Sequence, residues 1–273
     1  MFFLFSCNSH KIYTIFLFIT KLISKCSFTF TGLNMQEVEI YLDITRLLVG
    51  IFILGYACYT DLKTRRASNM NWLIMGLFGA VLLVLEYLTV GIENPMILIA
   101  IPIMIGFVYL LFQLGLIFGG ADAKALMALA ILLPLHPTIY QFPLWGQSIM
   151  PAVWTVFSNS IVLFLFIPVS LLVYNLINKN IKFPHVFLGY KMDISKAREK
   201  FVWPLEKIVD GKTKIVKMPK SFDASEEYDK FEKEGIKEIW VTPKIPFMIP
   251  LLGGFVFTFI FGDIMLYFMQ MFM

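Results

Sequence analysis

From Met35 onward the chain alternates between long apolar runs and short polar breaks. A helix needs about 20 mainly apolar residues to cross a bilayer, and run length is the signal that separates such spans from core helices. Six spans are predicted, over residues 44–59, 72–90, 96–118, 123–135, 152–177 and 247–271. Asn69 and Asn71 precede or open the second, and either has a side chain suited to capping it. Gly119-Gly120 ends the third. The fourth is short and stops near Pro134 and Pro137. No internal repeat is evident.

A polar block, residues 178–244, separates the fifth and sixth runs. Within it, strand-like runs at 205–209 and 213–217 flank Asp210-Gly211, a favoured two-residue hairpin turn. Residues 225–234 read as a charged helix closed by Gly235, and 239–242 as a further short strand. The fold class is therefore an all-α polytopic membrane protein. Six transmembrane helices carry a small cytoplasmic α+β module between the fifth and sixth. The division is 1–34, 35–177 (five helices), 178–245 (the module) and 246–273 (the sixth helix). Residues 1–34 carry Lys11, Lys21 and Lys25 around an apolar stretch, 12–23, that is short for a span. They read as a signal-like segment, an extra helix, or sequence ahead of a translation start at Met35, the reading favoured here.

Composition agrees with the pattern. Of 273 residues, 58% are hydrophobic and only 15% charged, against about 45–50% and about 25% in soluble domains. Of the 23 Lys and Arg residues, 15 fall between 178 and 245. Lys63, Arg65 and Arg66 follow the first run and Lys124 follows the third. This asymmetry puts the module and those loops in the cytoplasm of a plasma-membrane protein. The modest net charge of +4 reflects that orientation signal and gives no reason to expect nucleic acid as a partner. Arg46, at the outer end of the first span, is out of pattern. Cys7, Cys26 and Cys58 form no CxxC pair, and His10, His136 and His185 show no ligand spacing. Neither a metal nor a cofactor is expected.

The candidate chemistry lies in two aspartates. Asp61 ends the first span and Asp122 follows the third. Two complete crossings separate them, so both belong at the cytoplasmic boundary at similar depth. Glu86, Glu93, Asp43 and Asp263 fall toward the outer side. Each aspartate alone has a structural reading: a boundary acid that reaches water, or, for Asp122, a helix cap. Together, two close carboxyls share one proton. One can activate water while the other polarises a peptide carbonyl. A helix N-terminus near Asp122 favours it as the anion. Gly119 and Gly120 either break a helix or let an extended substrate approach closely. Cys58, one turn before Asp61, has no histidine in view and reads as packing.

These residues carry a resemblance. Thr60-Asp61-Leu62-Lys63-Thr64-Arg65-Arg66, with Asn69 and Trp72 after it, is similar to the first aspartate motif of the type IV prepilin peptidases. Gly119-Gly120-Ala121-Asp122-Ala123-Lys124 resembles their second, the GxGD signature, with Ala121 where the stricter form has glycine, as in the archaeal branch. Six spans with a polar module before the last resemble the preflagellin (archaellin) peptidases of that branch. The resemblance implies an aspartic endopeptidase with Asp61 and Asp122 catalytic and Gly119, Gly120, Ala121 and Asn69 in support. It implies precursor flagellin or pilin-like subunits with a basic leader as partners, cut at the cytoplasmic face of the bilayer. Bacterial members often add a CxxC-bearing methylating domain, which has no counterpart here. Two other classes remain: a small ion- or proton-coupled transporter using the same aspartates, and a non-catalytic assembly subunit. Edge placement of the acids counts against the transporter, whose ionisable groups usually sit near the midplane.

Overall fold

The computed structural model describes residues 34–92, 97–117, 119–146, 148, 150–209, 212–215 and 225–272. The readings made for residues 1–33, for Glu93 and for the Asp210-Gly211 turn lie outside these. The chain is mostly helical, with two small antiparallel sheets. It divides into two compact units, one of residues 1–161 with Phe247–Met273, the other Val162–Pro246.

The first unit opens with α1, Met35–Thr64, longer than its apolar run at both ends. Glu37 accepts from the Asn34 backbone N–H at 3.1 Å, holding the start. At the other end Arg65 takes a left-handed conformation (φ 56°) and its N–H bonds back to the Asp61 carbonyl at 2.9 Å. The next helix, α2 (Asn69–Thr89), is capped by Ser68, whose hydroxyl accepts from the Met70 N–H at 3.3 Å. Neither Asn69 nor Asn71 caps it, because Ser68 stands at the residue where the extended backbone meets the helix.

The third helix, α3 (Ile97–Gln113), stops short of the expected end at 118. Gly115, at φ +71°, supplies the left-handed residue, and the bonds from Gly115 N to Phe112 O and from Leu116 N to Leu111 O close the end as a Schellman motif. The fourth helix, α4 (Gly120–Leu132), begins before the expected 123. Gly119 is its extended N-cap, which places Asp122 inside the first turn instead of at the cap. Ala152–Ile177 forms α5 with the expected bounds. The expected last span is two helices, α9 (Met248–Ile260) and α10 (Ile264–Phe272), bent by 61°. The break follows from Gly262, at φ +96°, and from Asp263, whose carboxylate accepts from the Met265 and Leu266 N–H groups at 2.9 and 3.1 Å. Asp263 is therefore a buried helix cap.

Among the described residues two helices, α2 and α5, are long and apolar enough to cross a membrane, or up to three if α9 with α10 counts as one span. The α3 segment is apolar but shorter. Thirteen-residue α4 reaches about 20 Å at about 1.5 Å per residue, less than a hydrocarbon core of about 30 Å. Small residues let these helices pack closely, as apolar helices without a hydrophobic driving force between them must. A β-carbon on Gly79 of α2 would lie 2.6 Å from the Leu132 backbone of α4, and one on Gly254 of α9 2.7 Å from Ser160 N of α5. Gly50 of α1 makes room for the Phe255 ring of α9. Arg46 answers its odd place in the sequence: buried, it meets Asp43 at 2.9 Å and Glu86 of α2 at 2.5 Å.

The second unit contains α6 (His185–Leu188), β1 (Tyr190–Asp193), α7 (Ile194–Glu199), β2 (Val202–Pro204), β3 (Glu206–Val209), β4 (Lys212–Ile215), α8 (Ser225–Lys233) and β5 (Glu238–Pro243). Strands order β1-β5-β2, all antiparallel, with Tyr190 opposite Val241 and Pro204 also opposite Val241. The β3–β4 hairpin is the one expected around residues 205–217. Alternation along β5 sends Ile239 and Val241 into a core with Ile194, Ala197, Tyr228 and Phe231. Trp240 faces the other way, its ring centroid 5.3 Å from that of His185.

Candidate functional site

Asp61 sits in the last turn of α1 and Asp122 in the first turn of α4. Both belong to the first unit, where α1 and α4 touch. The Asp61 carboxylate is close enough for its charge to act on Asp122. Both charges also reach the Cys58 thiol, one turn before Asp61. Cys58 is buried and donates its S–H to the Met248 carbonyl at 3.0 Å, which ties this end of α1 to the start of α9. Among the described residues no imidazole joins it, and the packing role fits.

The glycines have a local reason. The Asp122 carboxylate folds back over the helix start, and its Oδ2 occupies the place a Gly119 β-carbon would take. Any side chain at 119 must therefore displace the carboxylate. Gly120 meets only the Phe112 ring, at 3.7 Å from its β-carbon position, so its demand is weaker. Ala121 follows in the same turn, partly buried and packed on the core of the unit.

Asn69, expected in support, is brought to the second motif. Its Oδ1 accepts from the Lys124 ammonium at 2.8 Å. Lys124 is thus turned to α2, and among the described residues it makes no ion pair with Asp122. Arg65 lies four residues after Asp61, its main chain bonded back to Asp61. Sequence reasoning missed that Asn71 is buried two residues past Asn69. The signal available in the sequence is a second asparagine set immediately before the apolar run that opens at Trp72. Among the described residues no group of three His, Cys, Asp or Glu side chains could hold a metal ion.

In the second unit, buried His185 lies 2.9 Å from Glu206, which also pairs with Lys182 at 2.5 Å. Burial, with help from the Lys182 charge, pushes the imidazole below the usual histidine range, and Glu206 opposes this.

The model of the Type IV leader peptidase family matches residues 48–174, and that of the Archaeal Peptidase A24 C-terminus Type II matches 181–264. The first match ends near the close of α5, and the second spans the polar block and α9. A preflagellin peptidase of Methanococcus voltae is 30% identical over 228 residues, 79% of this chain and 94% of the relative. That of Methanocaldococcus jannaschii (strain ATCC 43067 / DSM 2661 / JAL-1 / JCM 10045 / NBRC 100440) is 30% identical over 233 residues, 79% of this chain and 93% of the relative. That of Methanococcus maripaludis (strain C6 / ATCC BAA-1332) is 26% identical over 231 residues, 79% and 94%. The chain belongs to the type IV leader peptidase family. The family is one of peptidases, and the long apolar helices of this chain fit a membrane protein.

Proposed function

We propose that this family member is an aspartic endopeptidase that removes the short basic leader from preflagellin or type IV prepilin-like precursors, with Asp61 and Asp122 as its catalytic pair. The observation that carries the reading is that the helix bearing Asp61 and the helix bearing Asp122, one from each motif, pack together in one compact unit. The names of the curated relatives, preflagellin peptidases over 93–94% of their length, support the substrate class. The clustering of Lys63, Arg65, Arg66 and Lys124 around the two aspartates supports a cytoplasmic site, where a leader preceding a membrane-embedded segment would be presented.

The mechanism follows from the pair. Two nearby carboxyls cannot both ionise cheaply, so they hold one proton between them and titrate as a unit. The ionised carboxyl takes a proton from water as that water attacks the scissile carbonyl. The protonated one donates to the carbonyl oxygen as it gains charge. Arg65 beside Asp61, with Lys124 drawn to Asn69, favours Asp61 as the anion. That sets it against the dipole of α4, which acts on Asp122. No metal or covalent intermediate is needed for this chemistry.

The test is cleavage of a preflagellin by the membrane-expressed protein, read as a mobility shift. Asp61→Asn and Asp122→Asn should each abolish cleavage while the protein still inserts. Full cleavage by either variant overturns the reading.

A further inference from the structure

Ser68 takes the cap of α2, which leaves Asn71 without the role its residue type suggests. Asn71 is 8% exposed, on the buried stripe it shares with Met75, Gly79, Leu82 and Glu86. Its Nδ2 is buried and has no hydrogen-bond partner among the described residues. An unsatisfied buried amide forfeits the hydrogen bonds it made to water, so native structures keep few of them and each calls for an explanation. Trp72 Nε1, next along the chain, is buried and unpaired as well.

The registers of the neighbouring helices locate this amide. Helices α1 and α2 run antiparallel through a four-residue break, 65–68, and Arg46 of one pairs with Glu86 of the other. Carrying that register down the pair sets Asn71 opposite Asp61. Helices α2 and α4 run parallel, since Asn69 meets Lys124 at one end and Gly79 meets Leu132 farther on. That register sets Asn71 level with residues 124–126, about one turn, roughly 5 Å, from the level of Asp122. A free donor is thus held at the depth of both aspartates, by a helix that packs on both of theirs.

We propose that Asn71 is a substrate-binding residue of the peptidase, its side-chain amide donating to a main-chain carbonyl of the precursor beside the scissile bond. This rests on the aspartyl reading above. Chemistry of this kind needs donors that hold an extended peptide, and a donor left unpaired until substrate arrives strengthens binding when the site excludes water. Retaining it sacrifices stability of the free protein, and that opposition makes the role measurable.

The experiment compares wild type with Asn71→Leu, which fills the space without donors, by melting temperature in lipid–detergent micelles and by kinetics on a preflagellin. The expected result is an equal or higher melting temperature with kcat/KM lowered about tenfold or more. Unchanged kcat/KM overturns the proposal. So does a lower melting temperature in both Asn71→Leu and Asn71→Ala, the behaviour of a paired structural amide. Where the leucine variant fails to fold, the alanine variant carries the kinetic test. The aspartate variants keep the two readings apart. If they still cleave, the dyad is wrong. If they are dead and Asn71→Leu is fully active, only the role of Asn71 is wrong.

Discussion

The Lys124 ammonium donates to Asn69 Oδ1 at 2.8 Å, so the second aspartate motif is fastened to the helix that follows the first. The two residues are 55 apart in sequence and both are exposed. Their bond joins the start of α4, in the turn that carries Asp122, to the start of α2, the helix that follows Asp61 after the break at 65–68. A charge-assisted bond in this setting stabilises by about 1 kcal/mol. Asn69→Ala and Lys124→Ala should each lower the cleavage rate severalfold. A double-mutant cycle on melting temperature and on kcat/KM should show non-additivity of about 0.5–1.5 kcal/mol. Strict additivity would mean that the bond does not hold the motifs together.

Gly119 is the residue in the second motif with the least freedom to change. A β-carbon there meets the Asp122 carboxylate itself. Gly119→Ala should insert and melt near wild type yet cleave about 100-fold more slowly, since misplacement of a reacting group by about 1 Å costs that much. Gly120→Ala, whose β-carbon meets only the Phe112 ring at 3.7 Å, should retain most activity. Equal losses at the two glycines would contradict the assignment of the close approach to Gly119.

The buried trio Asp43, Arg46 and Glu86 predicts a stability effect remote from the dyad. Asp43 also accepts from the Thr138 N–H at 2.7 Å, which binds the segment after α4 to α1. Arg46→Met leaves two buried carboxylates without their cation and should destabilise by about 3–5 kcal/mol. Replacing all three by apolar residues should recover much of that loss, because burying an ion pair gives little net stability. Thermal unfolding in a single detergent checks both statements.

His185 predicts a pH dependence in the second unit. Its imidazole is held below the ordinary histidine range, chiefly by burial. The unfolded chain therefore binds a proton before the folded one does as pH falls. Stability contributed by neutral His185 is fully present above the ordinary histidine pKa of about 6.5. It is lost as pH drops below that value toward the lower folded pKa. The wild type should lose stability as pH falls below about 6.5, and His185→Gln should flatten that slope. Trp240 fluorescence, reporting from 5.3 Å away, follows the transition. An unaltered slope in the variant would assign the effect to other groups.

Sequence alone went far along the membrane part. Ala152–Ile177 was legible to the residue because a continuous apolar run has no competing element. Asp61 and Asp122 were singled out by counting crossings and by their flanking motifs, and the structure sets them on helices that pack together. The β3–β4 hairpin was legible because its strands flank a strong turn dipeptide. Helix ends were not. The end of α3, the start of α4 and the break between α9 and α10 depend on Gly115, Gly119 and Gly262. A glycine's torsion angles are chosen by what surrounds it. Ser68 over Asn69 and Asn71 as a cap was a choice among three suitable side chains, and a pattern of residue types cannot rank them. Pairing across distance was the province of tertiary structure alone. Composition offered Lys124 as a topology signal and Arg46 as an anomaly; folding turned the first to Asn69 and enclosed the second between Asp43 and Glu86. The physical reason is that apolar run length is a local property of the chain, whereas the partner of a polar atom is set by helix register. Register is fixed by close packing at Gly79 and Gly254, far from the groups it aligns.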